Sequence, residues 1–132
     1  MISLLAVRIF WSFDNTLQDL YNNFNGYGVN NPTFVSPGYN GAGACISLNK
    51  TKNQSVTIST PPVFYMAYTS FTLQVWMYAE TLCNGGACND NALFGQHEQT
   101  TMDHSLHLNI RNQHILLGFF NDDTTGNMVS YL

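Results

Sequence analysis

Charge is the scarcest property of this sequence. Lys, Arg, Asp and Glu make up 9% of its 132 residues, against about a quarter in an average soluble domain. The four basic residues, Arg8, Lys50, Lys52 and Arg111, form no patch, and the net charge is −4. Nucleic-acid affinity comes mainly from neutralised phosphates, and docking on anionic lipid needs a basic cluster. Both functions are therefore set aside. No stretch is long and apolar enough to span a bilayer, so direct membrane insertion is not expected. Heptads, internal repeats and charge blocks are missing too. The acidic residues are Asp14, Asp19, Glu80, Asp90, Glu98, Asp103, Asp122 and Asp123. None are spaced as Glu-x-Asp or Glu-x-Glu, and the adjacent Asp122 and Asp123 would face opposite ways on a strand. A carboxylate pair for glycoside hydrolysis is thus not apparent, and no enzymatic activity is expected.

What replaces charge is Asn, Thr, Ser, Gln and Tyr, beside a hydrophobic content of 45%. This uncharged polar surface suits secreted and adhesive β-domains. The length fits one domain over residues 1–132. The apolar opening, Met1 to Trp11, reads as a first strand rather than a signal peptide, because Arg8 interrupts it and no small-residue cleavage site follows.

Period-2 alternation recurs along the chain, and helical periodicity does not. In Phe71-Thr72-Leu73-Gln74-Val75-Trp76-Met77-Tyr78 the odd positions predict one core face. Leu106, Leu108 and Ile110 do the same over 105–111, and Ile115, Leu117 and Phe119 in the next run. Asn112-Gln113 between these runs predicts a two-residue hairpin loop. That hairpin sets Arg111 opposite His114 and His107 opposite Gly118. Shorter strands fit Cys45–Leu48 and Val56–Ser59, with Asn49–Ser55 as the hairpin loop between them. Asn22–Pro37, rich in Asn, Gly and Pro, reads as loop, and Pro37–Gly41 as a turn cluster. Many short strands with regular turn signals predict an all-β, antiparallel β-sandwich.

Several side-chain groups carry candidate chemistry. Cys83-Asn84-Gly85-Gly86-Ala87-Cys88 is a flexible loop able to close a disulfide between Cys83 and Cys88; the rival bridges run from Cys45 to either residue, and three cysteines leave one unpaired. The histidines do not converge on a metal, since the spacing of His104 and His107 puts them on opposite faces of a strand. Asn49-Lys50-Thr51 and Asn53-Gln54-Ser55 are N-glycosylation sequons. Sugar-binding platforms need aromatic rings with open faces; the candidates are Tyr21, Tyr27, Tyr39, Trp76 and Tyr78, against the competing reading that Trp76 packs under a loop.

Three stretches, taken in order, resemble laminin G-like domains of the concanavalin-type jelly roll. The first is Phe13-Asp14-Asn15-Thr16-Leu17-Gln18-Asp19 with its Asn/Gly loop. The second runs from Pro37-Gly38-Tyr39 through Leu48-Asn49 to Gln54-Ser55-Val56-Thr57-Ile58. The third is Ser70–Tyr78, followed by Asn91-Ala92-Leu93-Phe94-Gly95 and the strand pair at 105–120. The family's closing strands have no counterpart here, so the resemblance implies an incomplete sandwich whose open sheet edges favour oligomerisation. It implies an extracellular or cell-surface recognition or adhesion module that binds glycan or protein through rim loops. The alternatives are a structural accessory domain of a larger surface protein, or a glucanase-like hydrolase. It also implies a calcium ion at the rim, with Asp19, Asn22 and Asn25 as ligands, Asn23 beside them, and Gly26 allowing the turn. One carboxylate is thin charge for a divalent ion, and the competing reading is a turn stabilised by its own side-chain-to-backbone bonds.

Overall fold

A computed structural model describes residues 8–59, 70–83, 91–97, 105–112 and 114–118. Its regular structure is almost entirely strand, in several antiparallel ladders. The chain divides into two compact units, residues 1–77 and 78–132.

Among the described residues, the first unit holds two short ladders. Strand β1, Gly26–Val29, pairs with β4, Ser55–Ile58; β2, Thr33–Val35, pairs with β3, Cys45–Ser47. This corrects two expectations. β3 and β4 are not hairpin partners; each takes a strand from upstream, and a single 3-10 turn, Lys50–Lys52, lies between them. Asn22–Pro37, expected as loop, contains β1 and β2. Their Gly, Asn and Pro neighbours mask the strand signal, yet the first glycine of β1 has a packing reason. A Cβ at Gly26 would lie 2.7 Å from Val56 Cγ1 and 3.1 Å from the Leu17 carbonyl oxygen. Most of the expected first strand, Met1–Val7, lies outside the described residues; within them Trp11 forms a bridge with Asp19, and Leu20 N–H donates to the Phe10 carbonyl at 2.9 Å.

Asparagine shapes the connections. Of the seven non-glycine residues described with positive φ, six are Asn: Asn15, Asn22, Asn30, Asn31, Asn53 and Asn112. Asn tolerates the left-handed region because its short amide bonds locally. The abundance of Asn is thus conformational as well as a matter of surface polarity. Among the described residues of this unit, the buried hydrophobics are Phe24 at 3% exposure and Ala44 at 8%.

The segment Phe71–Tyr78 carries no strand, and all of it is exposed. The predicted core-facing residues, Phe71, Leu73, Val75 and Met77, are 36–49% exposed. Alternation supplies a strand with one apolar face, but a strand forms only by pairing with a neighbour, and among the described residues this segment joins no ladder.

Among the described residues, the second unit holds a meander of β5, Asn91–His97, β6, Ser105–Arg111, and β7, His114–Gly118. The β6–β7 register is the one read from the sequence, with Arg111 opposite His114 and His107 opposite Gly118. Asn112, at φ 51°, opens the turn. A bulge between Ala92 and Phe94 shifts the β5–β6 pairing. Leu106 and Ile110 are buried as expected, but Ile115 and Leu117, on the same face of β7, are 52% and 38% exposed. Their shared face is therefore covered on β6 and open on β7. Phe119 lies outside the described residues.

Candidate functional site

Two polar loops of the first unit hold the expected calcium ligands and two of the candidate rings, Tyr21 and Tyr39. The first is built around Asp19, whose side chain is 3% exposed. One carboxylate oxygen accepts from Phe10 N–H at 2.8 Å; the other accepts from Asn23 N–H at 3.1 Å and Phe24 N–H at 3.3 Å. Burial alone would push this acid's pKa up. Backbone N–H groups of Phe10, Asn23, Tyr21 and Phe24 outweigh burial and hold it below the usual Asp value. Asp19 N–H in turn donates to Asn25 Oδ1 at 3.0 Å, and Asn25 Nδ2 donates to Asn22 Oδ1 at 2.6 Å. Trp11 closes the loop by donating its indole N–H to the Phe24 carbonyl at 2.7 Å.

The structure thus brings together Asp19, Asn22 and Asn25, the three expected calcium ligands. Each of their side-chain oxygen groups already accepts a hydrogen bond from within the loop. A cation here would compete with bonds that hold the loop shut. Beside it, Phe10, Ser12, Thr16, Gln18, Leu20 and Asn22 line a shallow, open depression.

The second loop runs from the cis Ser36–Pro37 peptide to Ala44. Gly38 N–H donates to the Ala42 and Gly43 carbonyls at 3.1 and 3.2 Å, and Gly41 N–H to the Gly38 carbonyl at 3.0 Å. Asn40 Oδ1 accepts from Ala42 N–H at 3.1 Å. Asp14 anchors the far end, its Oδ1 accepting from Ala44 N–H at 2.9 Å. Gly43 sits at φ 63°, and a Cβ there would lie 3.0 Å from Asp14 Oδ2. The backbone of this turn is therefore tied down, while its tip is not covered. Tyr39, at the tip, is 71% exposed.

Tyr39 meets Trp76. Their rings stack with centroids 5.0 Å apart and planes 13° from parallel, within the range of favourable offset stacking. Trp76 nevertheless stays 68% exposed, so it is not packed under a loop. Each ring covers one face of the other and leaves its outer face to solvent. Tyr21, Tyr27 and Tyr78 are exposed at 46%, 53% and 89% but do not join the stack.

The remaining candidates fall elsewhere. Cys45 is a free thiol and Cys83 is disulfide-bonded; Cys88, its expected partner, lies outside the described residues. The Asn91 side chain holds Cys83 in place, accepting from its N–H at 2.8 Å and donating to its carbonyl at 3.2 Å and to the Ile110 carbonyl at 2.9 Å. His107 lies across Gly118, where any Cβ would strike the imidazole. His104 lies outside the described residues. Both described carboxylates of the first unit, Asp14 and Asp19, act on backbone N–H groups, and Glu80 is exposed. Sequence reasoning missed the anchoring role of Asp14. No local signal marks it, because its partner Ala44 stands thirty residues away.

Comparison with protein-family models, with curated proteins and with solved structures found no match.

Proposed function

We propose that this chain is a non-enzymatic, extracellular recognition module of the laminin G-like, jelly-roll type, and that it binds glycan at the Tyr39–Trp76 stack. The single observation that carries this reading is the stacked pair itself, with both rings about two-thirds exposed or more. Exposed aromatic area costs solvation free energy, and a parallel pair whose Tyr39 sits on a tied turn offers a flat surface with less left to order on binding. A pyranose ring has one face of C–H groups that fits such a surface. Its hydroxyls need amide or hydroxyl partners at the rim. Asn40, next to Tyr39, has its oxygen engaged by Ala42 N–H, and its amide N–H groups point the choice toward hydroxyl acceptors.

The non-enzymatic part of the reading is supported by Asp14 and Asp19, whose carboxylates serve backbone N–H groups. Asp19 is buried with both of its oxygens engaged, and Asp14 Oδ1 is held by Ala44 N–H. A glycan microarray probed with the purified chain tests the proposal. Retention of pyranose-rich glycans, lost in Trp76→Ala and Tyr39→Ala variants that still fold, is the expected result. Binding unchanged by either substitution would overturn the platform. Absence of any glycan binding would favour a protein ligand or the accessory-domain role, which pull-down from extracellular material separates. Release of reducing sugar from β-glucans would instead favour the hydrolase.

A further inference from the structure

The two sequons stand close together in sequence, yet they fold differently. Asn49 caps the 3-10 turn Lys50–Lys52. Its Oδ1 accepts from Thr51 N–H at 2.9 Å and from the Thr51 hydroxyl at 2.7 Å. Asn49, Lys50 and Thr51 are all exposed. The acceptor amide and the hydroxyl that defines the sequon are therefore already side by side on one solvent-facing turn.

Asn53 is exposed as well, but its sequon is held. Its backbone is left-handed, at φ 50°, its N–H donates to the Lys50 carbonyl at 2.9 Å, and its carbonyl accepts from Asn30 Nδ2 at 2.8 Å. Gln54, the middle residue, is clamped. Its Oε1 accepts from Asn49 N–H at 2.8 Å, and its Nε2 donates to the carbonyls of Asn30 and Asn31 at 3.1 and 2.8 Å. Ser55 is half-buried in β4 opposite Val29. Bringing the Ser55 hydroxyl to the Asn53 amide would break the Gln54 clamp and fray the first pair of the β1–β4 ladder.

We infer that Asn49, and not Asn53, is the N-glycan acceptor of this protein, an assignment that rests on the extracellular reading above. In the transfer, Asn49 Nδ2 attacks the anomeric carbon of an oligosaccharide carried on a lipid diphosphate. The new bond is N–C1. The C1–O bond to the diphosphate breaks, the lipid diphosphate leaves with the electron pair, and the amide proton passes to a base of the transferase. No redox change is involved. Two donors on Oδ1 draw charge onto the oxygen, which makes the Nδ2–H protons easier to remove.

Cell-free translation of the full chain behind a signal sequence, with endoplasmic-reticulum microsomes present, tests this without relying on secretion. One endoglycosidase-sensitive gel shift is expected. Asn49→Gln and Thr51→Val should abolish the shift, Thr51→Ser should retain part of it, and Asn53→Gln should leave it unchanged. Peptide mapping after enzymatic deglycosylation in heavy-oxygen water should place the label on residue 49. A shift that survives Asn49→Gln, a doubly modified chain, or no shift at all would each overturn the assignment. Because the microsomes supply the compartment, those failures bear on the acceptor and leave extracellular location to be judged by glycan binding.

Discussion

The two polar loops of the first unit spend their side chains in opposite directions. Around Asp19 the polar atoms turn inward, and a buried carboxylate gathers the N–H groups of Phe10, Asn23 and Phe24. Around Gly38–Ala44 the inward bonds are made by backbone groups and by Asp14 reaching across from another segment. That frees Tyr39 to face solvent and stack on Trp76. A loop whose acceptors are filled by its own backbone is scaffold. A loop scaffolded from elsewhere can offer its tip to a partner.

The comparison breaks most visibly at Asp19. Asp19→Ala should destabilise the first unit by about 3 kcal/mol, since it leaves several backbone N–H groups without an acceptor in a mostly buried site. Urea unfolding of the variant against wild type measures it. A loss below about 0.5 kcal/mol, the range of ordinary surface substitutions, would remove Asp19 from the scaffold.

Acid gives the same contrast by titration. The folded Asp19 pKa lies below its unfolded value, which is about 3.9. The folded state then binds its proton less readily, so the stabilisation is fully present above about pH 4 and is lost as pH falls through the folded pKa. Wild type should weaken more steeply below about pH 4 than Asp19→Asn, whose loop has no carboxylate to protonate. Parallel stability profiles for the two proteins would contradict this.

The outward-facing loop should behave in reverse. Trp76→Ala is expected to lower glycan affinity about tenfold, corresponding to about 1.4 kcal/mol, with stability changed by less than about 1 kcal/mol. Trp76→Phe should recover much of the affinity. Calorimetric titration and unfolding on the same samples decide it, and equal losses in both readouts would make the stack a packing contact.

The smallest effect concerns calcium. Its three candidate ligands already accept bonds inside the loop, so binding should be no tighter than about 10⁻⁴–10⁻³ M, and millimolar calcium should leave glycan affinity unchanged. Tight binding abolished by Asp19→Ala would show that the ion replaces the hydrogen-bond network.

Legibility followed sequence distance. The β6–β7 hairpin could be read residue by residue, because its alternation and its two-residue turn lie next to each other. The tyrosines and Trp76 were readable as candidates by residue type, and the pairing of Tyr39 with Trp76 was not. Phe71–Tyr78 has the cleanest alternation in the chain and joins no ladder among the described residues, whereas Gly26–Val29 and Thr33–Val35 sit among turn residues and form strands. For β1 and β2 the pattern did not show what a segment would do, and the strands they pair with decided it.

The sequence by itself therefore determined the all-β class, the scarcity of charge, the local register at Arg111 and His114, and the candidate acceptors and rings. These follow from residue chemistry and from interactions within a few positions along the chain. Only the tertiary structure decided that β3 pairs with β2 and β4 with β1, that Asp14 holds Ala44, that Asp19 is consumed by backbone N–H groups, and that Tyr39 lies on Trp76. Each of these is a choice among several chemically equivalent partners distant in sequence. Local periodicity is the same for every such choice, and it is resolved only when the chain closes its loops and the buried polar groups must all be satisfied at once.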